Sequence, residues 1–349
     1  MPPSPCFIVP PYIVRSIAER GSLRQRRTAL ATIETSERIR GARALLARVP
    51  PTNEACALEQ ARTVFDARGR DRPPFRSVRR EGAPASIDLA VNEAFDGSGS
   101  TFDFFLHAYE RCSIDAYGLP LDSVVHFGRS YNNAFWDGRQ MVYGDGDGDL
   151  FNRFTISLDV IGHELTHGVI QSEAGLEYHG QAGALNESFS DIFGSLVRQR
   201  AFGQTASEAD WLIGAALFTS QVEGDALRSM AAPGTAYDDD VLGRDPQPAH
   251  MRDFVVTQDD AGGVHINSGI PNKAFHLAAT AIGGHAWQKA GAIWYHVLAD
   301  RLSATSDFAD CASRTVLQAK RMFGASSKEA KAVSRAWKAV GVKPLRAAP

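Results

Sequence analysis

Residues 160–170 read VIGHELTHGVI, two histidines and a glutamate inside an otherwise apolar helical run. Burying polar groups without partners costs a few kcal/mol each, so the fold must answer this segment with hydrogen bonds or with an ion. His163 and His167 are four residues apart, so on a helix they stand ~40° apart on one face, one turn up, where both imidazoles reach one ion. Glu164 lies ~100° from His163, beside the pair without displacing it, and is placed to act as general base on a metal-activated water. Chance is a weak competitor: composition alone predicts roughly 0.01 such matches in this chain.

A catalytic zinc needs a third protein ligand and an open position. A third histidine of the metzincin pattern would require Gly at 170 and His at 173, where Ile170 and Glu173 stand. GALNESFSDIFGSLV, residues 183–197, offers a second amphipathic helix with Glu187 as third ligand. Asp191, one turn later on the same face, and Asn186 are then placed behind the metal, Asp191 to accept a hydrogen bond from a ligand histidine. Glu173 and Glu177 remain rival ligands.

The rest of the chain sets limits. Its 349 residues suffice for two packed lobes, and no apolar run approaches the ~18 residues that span a bilayer. The first twenty residues lack a basic start and a small-residue cleavage site, and prolines break their apolar patch, so no classical export signal is expected. A cytoplasmic location or a non-classical export route follows as the expectation. Cys6, Cys56, Cys112 and Cys311 are far apart without a CxxC pair, which favours free thiols over a disulfide framework or a cysteine zinc site. Residues 1–50 carry nine Arg and three Glu, a net of +6, while the remainder carries 28 basic and 37 acidic side chains, a net of −9. The arm lacks aromatic interleaving and lysine, so it is expected to dock on its own acidic body rather than on nucleic acid or a membrane.

Along the chain, FIVPPYIV is expected to be extended because proline disfavours helix at and before itself. One or two short Arg-rich helices follow, closed by PPTNE at 50–54. Residues 55–155 mix short strands, such as 123–128 and 140–146, with a helix around 91–113. Helical patterns then fill 156–173, 184–202, 206–221, 271–283, 286–302, 306–323 and 326–339. The fold class is α+β, a β-rich lobe before a helical lobe with a cleft between them.

Taken together, HELTH (163–167), NESFSD (186–191), GGVHINSGIPNKAF (262–275), NNAFWDGRQMVYGDGDG (132–148) and LRSM (227–230) resemble the thermolysin-like zinc metalloproteases over residues 60–349. The resemblance implies a two-lobed fold with one zinc in the cleft and hydrolysis of peptide bonds by metal-activated water, with Glu164 as base. It implies Tyr178 and His265 as oxyanion donors, with Asp260 orienting His265. Asn133 and Ala134 would bind substrate as an added strand, and Arg228 a substrate carbonyl. Phe151, Val160 and Leu227 would line a pocket for a large hydrophobic residue after the cut. A catalytically silent peptide-binding relative and an aminopeptidase are the alternatives. Protein or peptide substrates are the expected partners of a monomer, with neither nucleic acid nor membrane.

Two departures refine the resemblance. Asp159 and Asp210 keep two positions of thermolysin's double calcium site, but Arg198, Leu212 and Ala215 stand at others, so that site is expected to be absent. GDGDGD, residues 144–149, fails the EF-hand spacing at Leu150 and Ile156 and is expected to be an exposed loop. The arm resembles the short propeptide of the protealysin-like subgroup, with Tyr12 where leucine is usual. That implies a propeptide over 1–50, lobes at 51–172 and 173–349, and Pro10, Pro11 and Tyr12 docked in the cleft in cis. Its removal would fall near residues 45–55.

Overall fold

The computed structural model describes residues 6–43 and 59–345, and the expected cleavage region lies outside them. The arm begins with a two-residue strand β1 (Cys6–Phe7) and continues as helices α1 (Pro11–Arg20) and α2 (Leu23–Arg43). The body opens with β2 (Arg62–Asp66), β3 (Arg76–Arg80) and helix α3 (Leu89–Tyr109). Strands β4 (Leu121–Val125), β5 (Ala134–Trp136) and β6 (Met141–Tyr143) follow. These strands form one six-stranded sheet in the order β1-β5-β6-β4-β2-β3, parallel only at β2/β4 and β4/β6. The arm therefore supplies an edge strand to the body's sheet.

The two helices carrying the proposed ligands come next, α4 (Leu158–Ser172) and α5 (Gly180–Ala201). Every residue of α4 from Asp159 to Ile170 is buried, so it runs through the middle of the molecule. It approaches α5 closely through glycines. A Cβ on Gly194 would meet the Asp159 carbonyl at 2.3 Å, and one on Gly162 would lie 3.0 Å from the Gly194 Cα. Any side chain at Gly194 would push the helices apart and separate His163 from Glu187. The short strands β7 (Leu212–Ile213) and β8 (Arg228–Ser229) follow. Helices α6 (Asp260–Asn267), α7 (Gly269–Ile282), α8 (Ala290–Asp300), α9 (Phe308–Phe323) and α10 (Lys328–Ala339) complete the helical lobe.

Several expectations change. Pro11 occupies the first turn of α1, where its missing N–H costs nothing, so Tyr12, Ile13 and Val14 are helical rather than extended. The second arm helix is 21 residues long. Residues 206–221 form turns around β7 rather than a helix, because Trp211 and Gly214 adopt positive φ and the Asp159 carboxylate accepts the Gly214 amide at 2.7 Å. GDGDGD is not an exposed loop. Asp147 is 7% exposed, and its Oδ1 accepts the amides of Asp149, Leu150 and Phe151 at 2.8–3.1 Å, satisfying a turn that would otherwise bury orphan donors. Cys112 is disulfide-bonded, against the expectation of free thiols, whereas Cys6 and Cys311 form no disulfide.

The arm docks on the body less by charge than expected. Arg15–Asp259 spans 3.2 Å and Arg38 pairs with Asp71, but these side chains are 37–73% exposed, so each pair contributes about 0–1 kcal/mol. Ile8, Val9, Ile13, Val14 and Ile17 are each at most 3% exposed, and fully burying such a side chain is worth about 1.5–3 kcal/mol. Apolar burial dominates the docking.

Candidate metal centre and cleft

α4 and α5 bring the three expected ligands to one point. His163, Glu164 and Glu187 are fully buried, and His167 is 3% exposed. His163 Nδ1 donates to Asp191 Oδ1 at 2.8 Å, and His167 Nδ1 donates to Asn186 Oδ1 at 2.8 Å. These acceptors place the ring protons on Nδ1, which turns both Nε2 lone pairs toward each other at 3.1 Å. The Glu187 carboxylate faces the same point, 3.5 Å from His163 Nε2 and 3.6 Å from His167 Nε2. Its Oε2 is buried and accepts no hydrogen bond from any described residue. Two imidazole lone pairs and a buried carboxylate oxygen converging in a dry site is an arrangement that a dication satisfies and that is costly without one. Zinc fits this donor set.

The rival carboxylates lie elsewhere. Glu173 caps the end of α4 and pairs with the buried Arg111, and Glu177 is exposed. Asp191 does more than hold His163: its carboxylate also accepts Arg228 Nε and Nη2 at 2.9 and 2.8 Å and Asn272 Nδ2 at 2.8 Å. Burial alone would push this carboxyl up, but the Arg228 charge and His163 outweigh it and hold it well below the usual carboxylate range.

Around this centre stand the remaining expected groups. Glu164 Oε2 accepts the Trp136 amide of β5 at 2.9 Å. Tyr178 donates to Glu187 Oε1 at 2.5 Å and lies 3.3 Å from His265 Nε2. Burial, then the negative Glu187, raises its phenol well above the ordinary value, so it stays a neutral donor. His265 reaches the site from a tight left-handed run: Asp260, Ala261, Gly262 and Gly263 have φ from 51° to 84°. That run folds the Asp260 carboxylate back onto His265, taking its amide at 2.8 Å and its Nδ1 at 2.6 Å. Burial opposes charge on the ring, but Asp260 and then Glu187 hold its pKa above the ordinary value. The non-glycine positive-φ residues carry strain that persists only because these contacts hold them.

The cleft contains the arm itself. β1 pairs antiparallel with β5, Cys6 opposite Trp136 and Phe7 opposite Phe135. Ile8 N donates to Ala134 O at 3.2 Å, and Asn133 brackets Val9, accepting its amide at 2.9 Å and donating to its carbonyl at 3.2 Å. The Phe7 carbonyl lies 3.0 Å from His265 Nε2, and the Ile8 carbonyl accepts Arg228 Nη1 at 3.1 Å. The polar contacts thus come from Phe7, Ile8 and Val9, upstream of the expected Pro10-Pro11-Tyr12, which ends the strand and turns into α1. Tyr12 follows in the first turn of α1, half-buried against the main core. A cavity of about 360 Å³ remains between α2 and the cleft, lined in part by Pro11, Asn133, Tyr178, Asp260 and His265. Phe151, Val160 and Leu227 do not line it and are at most 1% exposed within the core. Cys6, read in sequence only as a free thiol at the head of CFIVPPYIV, also lies beside the centre, its sulfur within 4.8 Å of ligand atoms of His167 and Glu187.

The buried His-His-Glu centre, its glutamate and the two-lobed fold define a metallopeptidase. The chain belongs to the thermolysin metallopeptidase family: residues 77–171 match its catalytic domain and residues 174–342 its alpha-helical domain. It is 49% identical over 338 residues to the "Extracellular metalloprotease" of Pectobacterium carotovorum subsp. carotovorum, covering 97% of this chain and 96% of that one. It is 41% identical over 265 residues to "Thermolysin" of Alicyclobacillus acidocaldarius subsp. acidocaldarius, covering 74% of this chain and 46% of that one. Among solved structures, the precursor of protealysin, a metalloproteinase from Serratia proteamaculans, matches with a TM-score of 0.88 and 53% identity, over 97% of this chain and 99% of that one. The protein is thus a metalloendopeptidase resembling the protealysin subgroup, and the family implies zinc. The expectation of a cytoplasmic location or a non-classical export route is corrected, because relatives from Pectobacterium and Serratia are named extracellular metalloproteases, which points to secretion. The Cys112 disulfide agrees with an oxidising compartment.

Proposed function

We propose that this chain is the zymogen of a neutral endopeptidase that cuts on the N-terminal side of large hydrophobic residues, with residues 1–50 as its inhibitory propeptide. The observation that supports this is the substrate-like seating of the arm, with consecutive carbonyls of Phe7 and Ile8 on His265 and Arg228. Adding a strand to a sheet edge is an established mode of peptide recognition, and a segment bound this way excludes substrate.

His163, His167 and Glu187 would hold the zinc, which when bound would supply Lewis-acid polarisation of the peptide carbonyl and activation of the attacking water. Glu164, fixed by the Trp136 amide, takes the water proton and passes it to the leaving nitrogen. Tyr178 and His265 donate to the developing oxyanion from fixed positions, so little reorganisation is needed as charge builds. Asn133 and Ala134 align the substrate backbone, Arg228 holds the carbonyl after the cut, and Phe151, Val160 and Leu227 form the wall of the specificity pocket. Calcium is not required in this reading: Arg198 Nη1 sits 2.8 Å from both Asp210 oxygens, placing a fixed cation beside one of the retained carboxylates.

The test is zinc content, mass and peptide hydrolysis of the purified full chain beside Glu164→Ala. Wild type is expected to hold one zinc, lose its arm on incubation and then cut before Leu, Ile or Phe. The variant is expected to hold zinc, stay full length and remain inert. A wild-type chain that binds zinc yet never cuts any peptide would overturn the reading.

A further inference from the structure

Cys6 lies beside the centre at which the proposed mechanism requires an open position. Side chains alternate across a strand, and β1 obeys this: Phe7 packs in the small cluster with Phe127 and Phe135, whereas Ile8 faces the main core on the opposite side. Cys6 shares the side of Ile8, and its sulfur, a ring nitrogen of His167 and a carboxylate oxygen of Glu187 all lie within 4.8 Å of one another, each on a buried residue. The buried Glu187 Oε2 accepts no hydrogen bond from a described residue and lies 3.5 Å from His163 Nε2 and 3.4 Å from His265 Nε2, at the same centre.

The register adds a second reason. Ile8 N on Ala134, Phe7 O beside His265 and Ile8 O on Arg228 hold the Phe7–Ile8 bond as a substrate bond would be held. A precursor stored in this register survives only if the attacking water is kept out. A catalytic zinc has three protein ligands and a water position, and thiolate sulfur is a ligand that zinc takes readily, the metal stabilising the deprotonated form.

We infer that Cys6 is the fourth zinc ligand of the precursor, its sulfur displacing the attacking water and latching the arm over the Phe7–Ile8 bond. On forming the Zn–S bond the thiol S–H bond breaks and its proton passes to solvent. The inference rests on the zymogen reading and adds to it a chemical reason for latency. Cys112 is disulfide-bonded and Cys311 is buried in α9, so among the described cysteines Cys6 alone faces the site.

X-ray absorption at the zinc edge tests this on full-length chain carrying Glu164→Gln, which keeps the arm in place, and on the same chain with Cys6→Ala added. The expected result is one zinc with a sulfur neighbour at about 2.3 Å beside nitrogen and oxygen at about 2.0–2.1 Å, the sulfur vanishing in the double variant while the zinc stays. A shell of nitrogen and oxygen alone in the Glu164→Gln chain overturns the latch but leaves the zinc site standing. A sulfur that persists in the double variant overturns the assignment to Cys6. A chain that takes up no zinc overturns both the latch and the metallopeptidase centre beneath it.

Discussion

Arg228 and Asp191 form a fully buried ion pair, Nη2 to Oδ1 at 2.8 Å, and each also serves the cleft: Asp191 holds His163, and Arg228 holds the Ile8 carbonyl. Removing one member of such a pair strands the other's charge, which costs about 3–5 kcal/mol. Arg228→Ala is therefore expected to destabilise the fold by that amount in urea denaturation. Arg228→Lys keeps a cation but loses the two-pronged contact, so a smaller loss than that of Arg228→Ala is expected, with KM for peptides raised more than kcat is lowered. A Lys variant as stable as wild type would show that the fork geometry is not what matters.

Asn186 accepts the His167 Nδ1 proton at 2.8 Å and is itself anchored, donating to the Leu176 carbonyl at 3.2 Å. Loss of such an acceptor behind a metal-ligating histidine weakens metal binding about 10–100-fold. Competition with a chromogenic chelator is expected to show that loss for Asn186→Ala, with zinc still binding at one per chain. An unchanged zinc affinity would mean that Ser190 Oγ, 3.0 Å from the same nitrogen, suffices to orient the ring.

The zinc helices were legible in sequence because helical periodicity puts His163 and His167 on one face, and because two carboxylates on an apolar helix need an explanation. Gly262-Gly263 announces a tight turn before His265, since glycine takes positive φ freely, whereas the extension of the left-handed run to Asp260 and Ala261 is imposed by the His265 contacts and has no local signal. Residues 206–221 carry a helix-like apolar pattern that tertiary contacts override: the Asp159 carboxylate captures the Gly214 amide, and β7 pairs with β8. Charge patterning identified the arm's target correctly but not its cause, which is the apolar face of α1.

Arg198 pairs with Asp210 where thermolysin-like chains carry a calcium site. The two side chains are 27% and 38% exposed, so Arg198→Ala is expected to cost only about 0.5–1 kcal/mol. The sharper expectation concerns the ion. A calcium-selective chelator should leave the melting temperature of the wild-type protein unchanged, whereas a thermolysin-type double site would lose stability by mass action when its ion is withdrawn. A calcium-dependent melting temperature would overturn the expectation that the site is absent.

His126 lies between two carboxylates, Nδ1 2.9 Å from Asp145 and Nε2 2.8 Å from Asp88. The Asp145 hydrogen bond chiefly raises its pKa to about 9, against partial burial and with Asp88 adding to the rise. Arg153, which feels both Asp88 and Asp145, stays cationic throughout. The folded protein therefore holds the imidazolium proton more tightly than the unfolded chain, whose histidine titrates near 6.5. The stabilisation is fully present below about pH 6.5 and fades as pH rises toward 9. Because both carboxylates are partly exposed, solvent screening limits it to on the order of 1–2 kcal/mol. His126→Gln is expected to cost that much in urea denaturation at pH 6 and close to nothing at pH 10, and NMR of the wild-type ring should show a titration well above the ordinary histidine range. A cost independent of pH would mean that His126 acts by packing alone. The Asp145 turn and the α3 cap at Asp88 would then be held together without its charge.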